Sequence, residues 1–496
     1  MADLGYSSEY EVYLTDHNGM QVVTNELSLR ILQEMRYREV SPTDMAIALN
    51  LSKSTIQGNI NKLFRMGIVV PETSTDDARS VVYHISAMML FSNDTTEEWQ
   101  LYARQASLNR IIANGRCTNR EDLSLYCVSL MESGLNIVYG LSNVGAALVR
   151  NINDADWWNR ILKSANQQFS MSGISMKMSI DNSLTLIFES EEDISDIPMM
   201  IVPMIGALRT DFRTIAGYNL SHEIQLSVEN NGRFVKIEIH PFQGQDYDAG
   251  ADSVNPLENF RIPEQFAIYS VNGKAMLFTN STMVGILDSL FDCGQSLNEL
   301  ELSLNLPKAT IYVSLTKLMA LGAVKTDDDT NYPKKYVLSA EPLMYTSEPN
   351  KECADKCVKI VEKFRNGDLD YYSAVISYAL HAIEYMGIHF DKMFMRSGRN
   401  TAHTLLDGRS MEAQDFVDLG CTMVSAPDDA EVISYLPIRI RLNRSEDSLW
   451  DAWPGDFVIG FVDEGLKMLL NRAYPISVET YYEGQTEPAT VQKLGE

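Results

Sequence analysis

The sequence predicts an α+β protein in which a two-module unit occurs twice in tandem. Three observations predict it. A displacement of 255 residues aligns 24–69 with 279–324 without a gap and leaves fifteen identities, the mark of an internal repeat. Each aligned block is preceded by two β-prone runs around an Asn-Gly pair, Asn18-Gly19 and Asn272-Gly273. Asn-Gly favours a tight hairpin, because both residues tolerate positive φ. Each block is followed by apolar helical stretches and strand-like runs, and LTLIFESEED matches IRIRLNRSED at a displacement of 254. The four expected modules are 1–95, 96–247, 248–348 and 349–496. The copies meet near Asp248–Phe260, which holds Gly, Asp, Pro and Asn without periodicity. Within each copy the module boundary falls near Ser92–Asp94 and Ser347–Asn350.

In the first module, Leu27, Ile31, Leu32 and Met35 recur at helical spacing along Asn25–Met35. Ser41 reads as the N-cap of a second helix, with Pro42 at its first position and Asp44 at its third. Its counterpart, Ser296 with Glu299, reads as a capping box. These short helices end at Asn50 and Asn305. Ser52 and Pro307 then open STIQGNINKLFRMG and ATIYVSLTKLMALG, which close on Gly67 and Gly322. Two strands finish the module, Ile68–Pro71 and Ser80–Ser86, around the polar tip Glu72–Arg79; in the second copy the tip is Thr326–Lys335.

Three helices, a tight turn before the third and a closing β-hairpin make the winged helix-turn-helix plan. On LNLSKSTIQGNINKLFRMGIV and LNLPKATIYVSLTKLMALGAV the blocks resemble archaeal regulators with an ArsR-type winged helix. The resemblance implies that the third helix enters the major groove of double-stranded DNA and that the wing touches its backbone. The candidate contacts are then Lys53, Ser54, Thr55, Gln57, Asn61 and Lys62 in the first copy, and Lys308, Thr310, Tyr312, Ser314 and Lys317 in the second. Arg79, Lys334 and Lys335 are the wing candidates. Residues 24–86 carry seven basic and seven acidic side chains, and 279–340 carry five and seven. Neither 52–67 nor 307–322 contains an acid, so negative charge is kept off the helices that would face phosphate.

The second module of each copy, within 97–240 and 350–493, follows one expected plan. Helices at Thr96–Ala113, Asp122–Val149 in pieces and Trp157–Gln168 correspond to Lys351–Phe364, Asp370–Phe394 and Met411–Met423. Strands Leu184–Glu189 and Pro437–Arg444, helices Pro198–Ala216 and Asp456–Arg472, and a terminal strand pair complete it. Gly460-Phe461, the apolar helix to Leu470 and Val478-Glu479-Thr480 resemble a 4-vinyl reductase-type ligand-binding domain, with Gly206 and Glu223 at the corresponding places of copy one. Cysteines usual in that family are missing: Glu223 is followed by Ile-Gln-Leu and Glu479 by Thr-Tyr-Tyr. No thiol-held metal or redox centre is expected there, and an apolar small-molecule pocket remains. A winged helix joined to this domain is the layout of a methanogen-type family of transcriptional regulators, here duplicated in tandem. The resemblance implies a DNA-binding regulator responding to a small molecule or redox signal, built as a single-chain pseudo-dimer or assembling as a homodimer. The alternative is an assembly or scaffold protein whose winged helices bind protein partners.

Composition bounds both readings. The 496 residues are 45% hydrophobic and 22% charged, values of a folded globular chain. Lys plus Arg number 41 against 67 Asp plus Glu, a net charge of −26, so bulk attraction to nucleic acid is excluded and only local basic faces serve. Six cysteines are too few for a disulfide scaffold. The start, MADLGYSSEYEVYL, has no basic or apolar leader region, and the longest apolar stretch, Ile197–Leu208, contains Pro198 and Pro203. A cytoplasmic protein without a membrane span is expected. Cys353 and Cys357 share a helix face that could hold a metal or sense oxidant, but without a further ligand at suitable spacing they read rather as a plain helical pair, while Cys117, Cys127, Cys293 and Cys421 read as isolated buried residues. His381 and His389 read as structural, Arg396–Arg399 as a small basic loop open to an anion, and Met199, Met200 and Met204 as core. No P-loop, dinucleotide, zinc-protease or nucleophile-elbow motif occurs, and no catalytic residue, metal ligand or cofactor is assigned; the chain is read as a non-enzyme.

Overall fold

The computed structural model describes residues 6–15, 18–73, 81–93, 99–114, 124–125, 127, 135–150, 163, 167, 169–170, 173–209, 212, 217–221, 224–242, 265–291, 293–327, 333–346, 350–369, 371–389, 391–423, 430–444, 453–482 and 484–494. The expected copy boundary, Arg79, Cys117, Glu223 and most of the expected helix Trp157–Gln168 lie outside them.

The chain opens with β1 (Tyr6–Ser7), β2 (Glu11–Thr15), β3 (Gly19–Val23), α1 (Glu26–Met35), α2 (Pro42–Ala48) and α3 (Lys53–Arg65). A hairpin, β4 (Val69–Thr73) and β5 (Val81–Ile85), follows, and β6 (Met88–Ser92) returns to pair with β2. Asn25, Ser41 and Ser52 each accept a hydrogen bond from the backbone N–H three residues on, satisfying a donor that a helix start leaves open. The rest of the copy is α4 (Trp99–Asn114), α5 (Val138–Arg150), β7 (Ser175–Ser179), β8 (Leu184–Glu189), α6 (Ile197–Arg209), β9 (Gln225–Glu229) and β10 (Phe234–Ile239).

The second copy follows the same order, with two short strands and two further helices inserted among the described residues. It begins with β11 (Ala267–Val271), β12 (Lys274–Phe278), α7 (Ser281–Ser289), β13 (Gln295–Ser296), α8 (Leu297–Leu304) and α9 (Lys308–Leu321). Then come β14 (Val324–Thr326), β15 (Lys335–Leu338), β16 (Glu341–Thr346), α10 (Lys351–Asn366), α11 (Tyr371–Tyr385), β17 (Ile388–His389) and α12 (Asp391–Leu406). It closes with α13 (Ala413–Thr422), β18 (Ala430–Tyr435), β19 (Ile438–Arg444), α14 (Trp453–Leu470), β20 (Ile476–Tyr482) and β21 (Thr490–Leu494). The chain is therefore α+β, and no helix among the described residues is long and apolar enough to cross a membrane.

The identities of the repeat recur as identical backbone roles. Asn25 and Asn280 cap α1 and α7, Ser41 and Ser296 cap α2 and α8, and Ser296 completes the capping box with Glu299. Asn50 and Asn305 both take the left-handed conformation, at φ 53 and 50, as do Gly67 and Gly322, at φ 77 and 81. The side-chain amides of Asn18 and Asn272 donate to the last carbonyls of the third helices, Arg65 O and Leu321 O. The hairpins differ in one respect. The second is the expected two-residue turn, with Asn272 and Gly273 at φ 51 and 78, whereas in the first the last strand pair is Thr15 with Gly19.

The hairpin strands join two cores. Strand side chains alternate between faces. Val12 and Leu14 enter the core shared with the second modules, while Tyr13 faces the cluster built on α1, α2 and α3. In the second copy Ile268 and Tyr269 divide in the same way. That shared core draws on both copies, from Leu141 and Met199 to Tyr378 and Phe461. The copies are also joined at a sheet edge, because β1 pairs with β12, Tyr6 opposite Phe278.

Within each second module two helices cross at glycines. A Cβ on Gly145 would lie 2.7 Å from the Pro203 carbonyl carbon, and one on Gly206 would overlap the Ser142 carbonyl. In the second copy, a Cβ on Gly398 would lie 2.6 Å from Phe461 N, and one on Gly460 2.7 Å from the Met395 carbonyl carbon. α5 against α6 and α12 against α14 are therefore backbone-close crossings that only glycine permits.

Three expectations change. The expected helix Asp370–Phe394 is broken: α11 ends at Tyr385, Gly387 takes φ 74, and β17 pairs with β16 before α12 begins. Arg396–Arg399 is not a loop but part of α12, where Gly398 sits in the crossing, Ser397 is buried, and the two arginines pair with Glu341 and Asp463. The two copies also differ in their last sheets. In the first, β10 lies beside β8 and antiparallel to it; in the second, β20 lies beside β19 and parallel to it. The inner place goes to the more apolar strand of each final hairpin, with Val235, Ile237 and Ile239 buried in one and Ile476 and Val478 in the other. Their partners β9 and β21 are left at the sheet edges.

Candidate nucleic-acid interface

Helix α3 buries Ile56, Ile60 and Leu63 and turns its remaining face outward. Lys53, Ser54, Thr55, Asn61 and Lys62 are exposed, and Gln57 is half-buried. Ser52 Oγ lies 2.9 Å from Ser54 Oγ and 2.8 Å from Thr55 Oγ1, so three hydroxyls cluster at the helix N-terminus. Gln57 donates to Asn61 Oδ1 at 3.0 Å and to the Tyr83 hydroxyl at 3.3 Å, which ties the helix face to β5. Gly58 is exposed with no heavy atom within 4 Å of an added Cβ, so this surface is open.

Helix α9 presents the same face with different chemistry. Lys308, Thr310, Tyr312 and Lys317 are exposed, Tyr312 by 57%. Lys308 Nζ lies 3.2 Å from Glu301 Oε2 on α8, so part of its charge is met within the module. Ser314 is a correction: it is 8% exposed and lies on the packed face with Ile311, Leu315 and Leu318, and it does not face outward. One turn of helix places position 314 beside the buried 311 and 318, a phase that the residue type alone does not reveal. Lys334 is exposed just before β15 and Lys335 is half-buried in it; Arg79 lies outside the described residues.

Sequence reasoning missed an exposed apolar feature. Ile47 on α2 and Leu302 on α8 occupy the same place in the repeat and are 75% and 82% exposed. A large apolar side chain left in solvent at the same place twice is the signal that would have found them.

The first module also holds a buried ion pair that the second lacks. Arg36 Nη2 meets Glu11 Oε1 at 2.5 Å, with both side chains under 10% exposed, and the Tyr13 hydroxyl donates to Glu11 Oε2 at 2.6 Å. Burial, then the adjacent carboxylate, hold the Tyr13 hydroxyl well above its ordinary range. The repeat places Ala267 and Phe291 at these positions of copy two.

The second modules show no accessible thiol at the expected pair. Cys353 and Cys357 are buried on α10, and burial, with the Cys353 neighbour second, raises the Cys357 thiol far above its usual value. Burial likewise pushes Cys421 up to about 12 and raises Cys127 further. Such thiols are poor nucleophiles and poor redox sensors. Cys293, expected to be buried, is exposed. His381 is wholly buried and its Nδ1–H donates to Ser377 O at 2.7 Å, while His389 stacks on Tyr345 at 5.1 Å. Met199, Met200 and Met204 are core, as expected. Comparison with protein families, curated proteins and solved structures gives no match for this chain.

Proposed function

We propose that the chain is a DNA-binding transcriptional regulator in which two winged helices, arranged as a single-chain pseudo-dimer, are coupled to two helix-rich ligand modules. One observation carries this reading. Most identities between the copies serve packing, caps or left-handed turns, as described above. Three on the third helices do not: Lys53 with Lys308, Thr55 with Thr310, and Lys62 with Lys317 are exposed in both copies. Side chains kept twice on a solvated, acid-free helix face serve a common external surface, and cations with hydroxyls suit phosphate and base edges. Gln57 and Tyr312 differ at the centre of that face, so the two half-sites differ and the operator is an imperfect palindrome.

Signal transfer runs through the hairpin strands. Alternate residues of β2 and β11 lie in the module core and in the shared core, so repacking around a small apolar ligand moves the winged helix directly. Burial of Cys127, Cys353, Cys357 and Cys421 favours such a ligand over a redox signal at those thiols.

Selection from random duplex DNA followed by fluorescence anisotropy at several salt concentrations tests the reading. Lys53→Ala and Lys308→Ala should each lower the salt slope by about one and weaken binding to all sequences alike. No selected DNA at low salt, or variants binding as wild type does, would overturn it. The exposed Ile47 and Leu302 favour a second reading, an assembly protein that docks partners through α2 and α8; Ile47→Ser with Leu302→Ser would then abolish assembly and leave any DNA binding unchanged.

A further inference from the structure

At the base of the β4–β5 hairpin three chain segments lie side by side. Val40 bridges Tyr83 antiparallel, which sets Glu39 opposite His84, and β4 pairs with β5 through Val70 opposite His84 and Glu72 opposite Val82. Alternation along these strands brings Glu39, His84 and Glu72 to one face. One ligand atom from each lies within 4.8 Å of the others, with His84 buried in the middle and the carboxylates half-buried on either side. His84 Nδ1 is 3.5 Å from Glu72 Oε2, too long for a good hydrogen bond. It is close to the spacing of about 3.4 Å between two ligands of one tetrahedral metal whose bonds are near 2.1 Å.

We propose that Glu39, Glu72 and His84 form a divalent-cation site that clamps the base of this hairpin to the segment between α1 and α2. Two carboxylates and one imidazole, without a thiolate, suit a first-row ion of borderline hardness such as Mn2+, Fe2+ or Zn2+. Three protein ligands leave positions for water. The ligands come from residues 39, 72 and 84, a spacing that no linear motif reveals. The site belongs to the first copy alone: the strand registers place Gly294, Asp327 and Val337 at the equivalent positions. Even the space is taken there, because a Cβ on Gly294 would lie 2.7 Å from Val337 Cγ1. The inference stands independently of DNA binding.

The test uses the full chain, stripped with chelator and held in millimolar Mg2+ to occupy weak acidic sites. It is titrated with Co2+, followed by visible absorption and calorimetry, and Zn2+ is then added as competitor. The expected result is one tight Co2+ per chain, a d–d spectrum without thiolate charge transfer, and displacement by Zn2+. Loss of even an outer-shell partner costs about ten- to hundredfold in affinity, so His84→Gln and Glu72→Gln should each weaken binding at least tenfold. Glu301→Gln should not. Should His84→Gln perturb folding by circular dichroism, Glu39→Gln carries the same test. No tight Co2+ in the wild type, two ions per chain, a thiolate band, or unchanged affinity in folded variants would overturn the proposal.

Discussion

Replacing Gly460 by alanine adds one methyl group where α14 crosses α12. The new Cβ would stand 2.7 Å from the Met395 carbonyl carbon, and the Met395 oxygen is closer still. Carbon atoms rest at about 3.5–4.0 Å, so the helices must part by roughly 1 Å. A gap of about that size forfeits a quarter to a half of each dispersion contact it opens. The contacts at risk are those of a fully buried helix face that includes Phe457, Val458, Phe461 and Val462. Overpacking ordinarily costs about 1–3 kcal/mol, and here backbone rather than a mobile side chain must yield, so about 3 kcal/mol or more is expected. Gly206→Ala, against Ser142, should behave alike. The control is Gly58→Ala on α3, where an added Cβ meets nothing within 4 Å. Alanine is favoured over glycine inside a helix by about 0.5–1 kcal/mol, so this variant should gain stability. Urea unfolding, monitored by circular dichroism and tryptophan fluorescence, reads both signs. A loss below about 1 kcal/mol at Gly460 and Gly206 would refute the claim that backbone contact fixes these crossings.

Two further outcomes follow from the charged groups. Arg36→Met takes the guanidinium away from the buried Glu11 carboxylate and should cost about 3–5 kcal/mol, whereas Glu11→Ala with Arg36→Phe, the residues of the second copy, should recover most of that loss in the same unfolding assay. The Arg439 guanidinium, 2.6 Å from Glu479 Oε1, chiefly holds the Glu479 carboxyl below its usual range, with the Tyr481 hydroxyl assisting. A depressed acid contributes stability that is present above the unfolded value of about 4.3 and is lost as pH falls through the lower folded value. Acid-unfolding curves of Glu479→Gln should therefore be flatter in that window than wild type, and equal slopes would remove the pair from the account.

The terminal strand pairs of the two copies read alike in sequence, yet their strands take different places in the two sheets. Strand order in a sheet is a competition between alternative neighbours, decided by which strand best fills the inner place. The apolar residues sit on the second strand of the final hairpin in one copy and on its first strand in the other, so equal positions in sequence became edge and interior. Ser314 is a smaller case, in which the phase of α9 against the core buried a residue of outward type.

The sequence by itself determined the duplication, the first-module helices and their ends. Caps such as Asn25, Ser41 and Ser296, and left-handed positions such as Asn305 and Gly322, act over three or four residues and leave a local trace. Only the tertiary structure decided the Gly206 and Gly460 crossings, the edge pairing of β1 with β12, and the meeting of Glu39, Glu72 and His84. Each depends on residues brought together from distant parts of the chain, and such contacts are chosen by packing and hydrogen-bond register rather than by any neighbour in sequence.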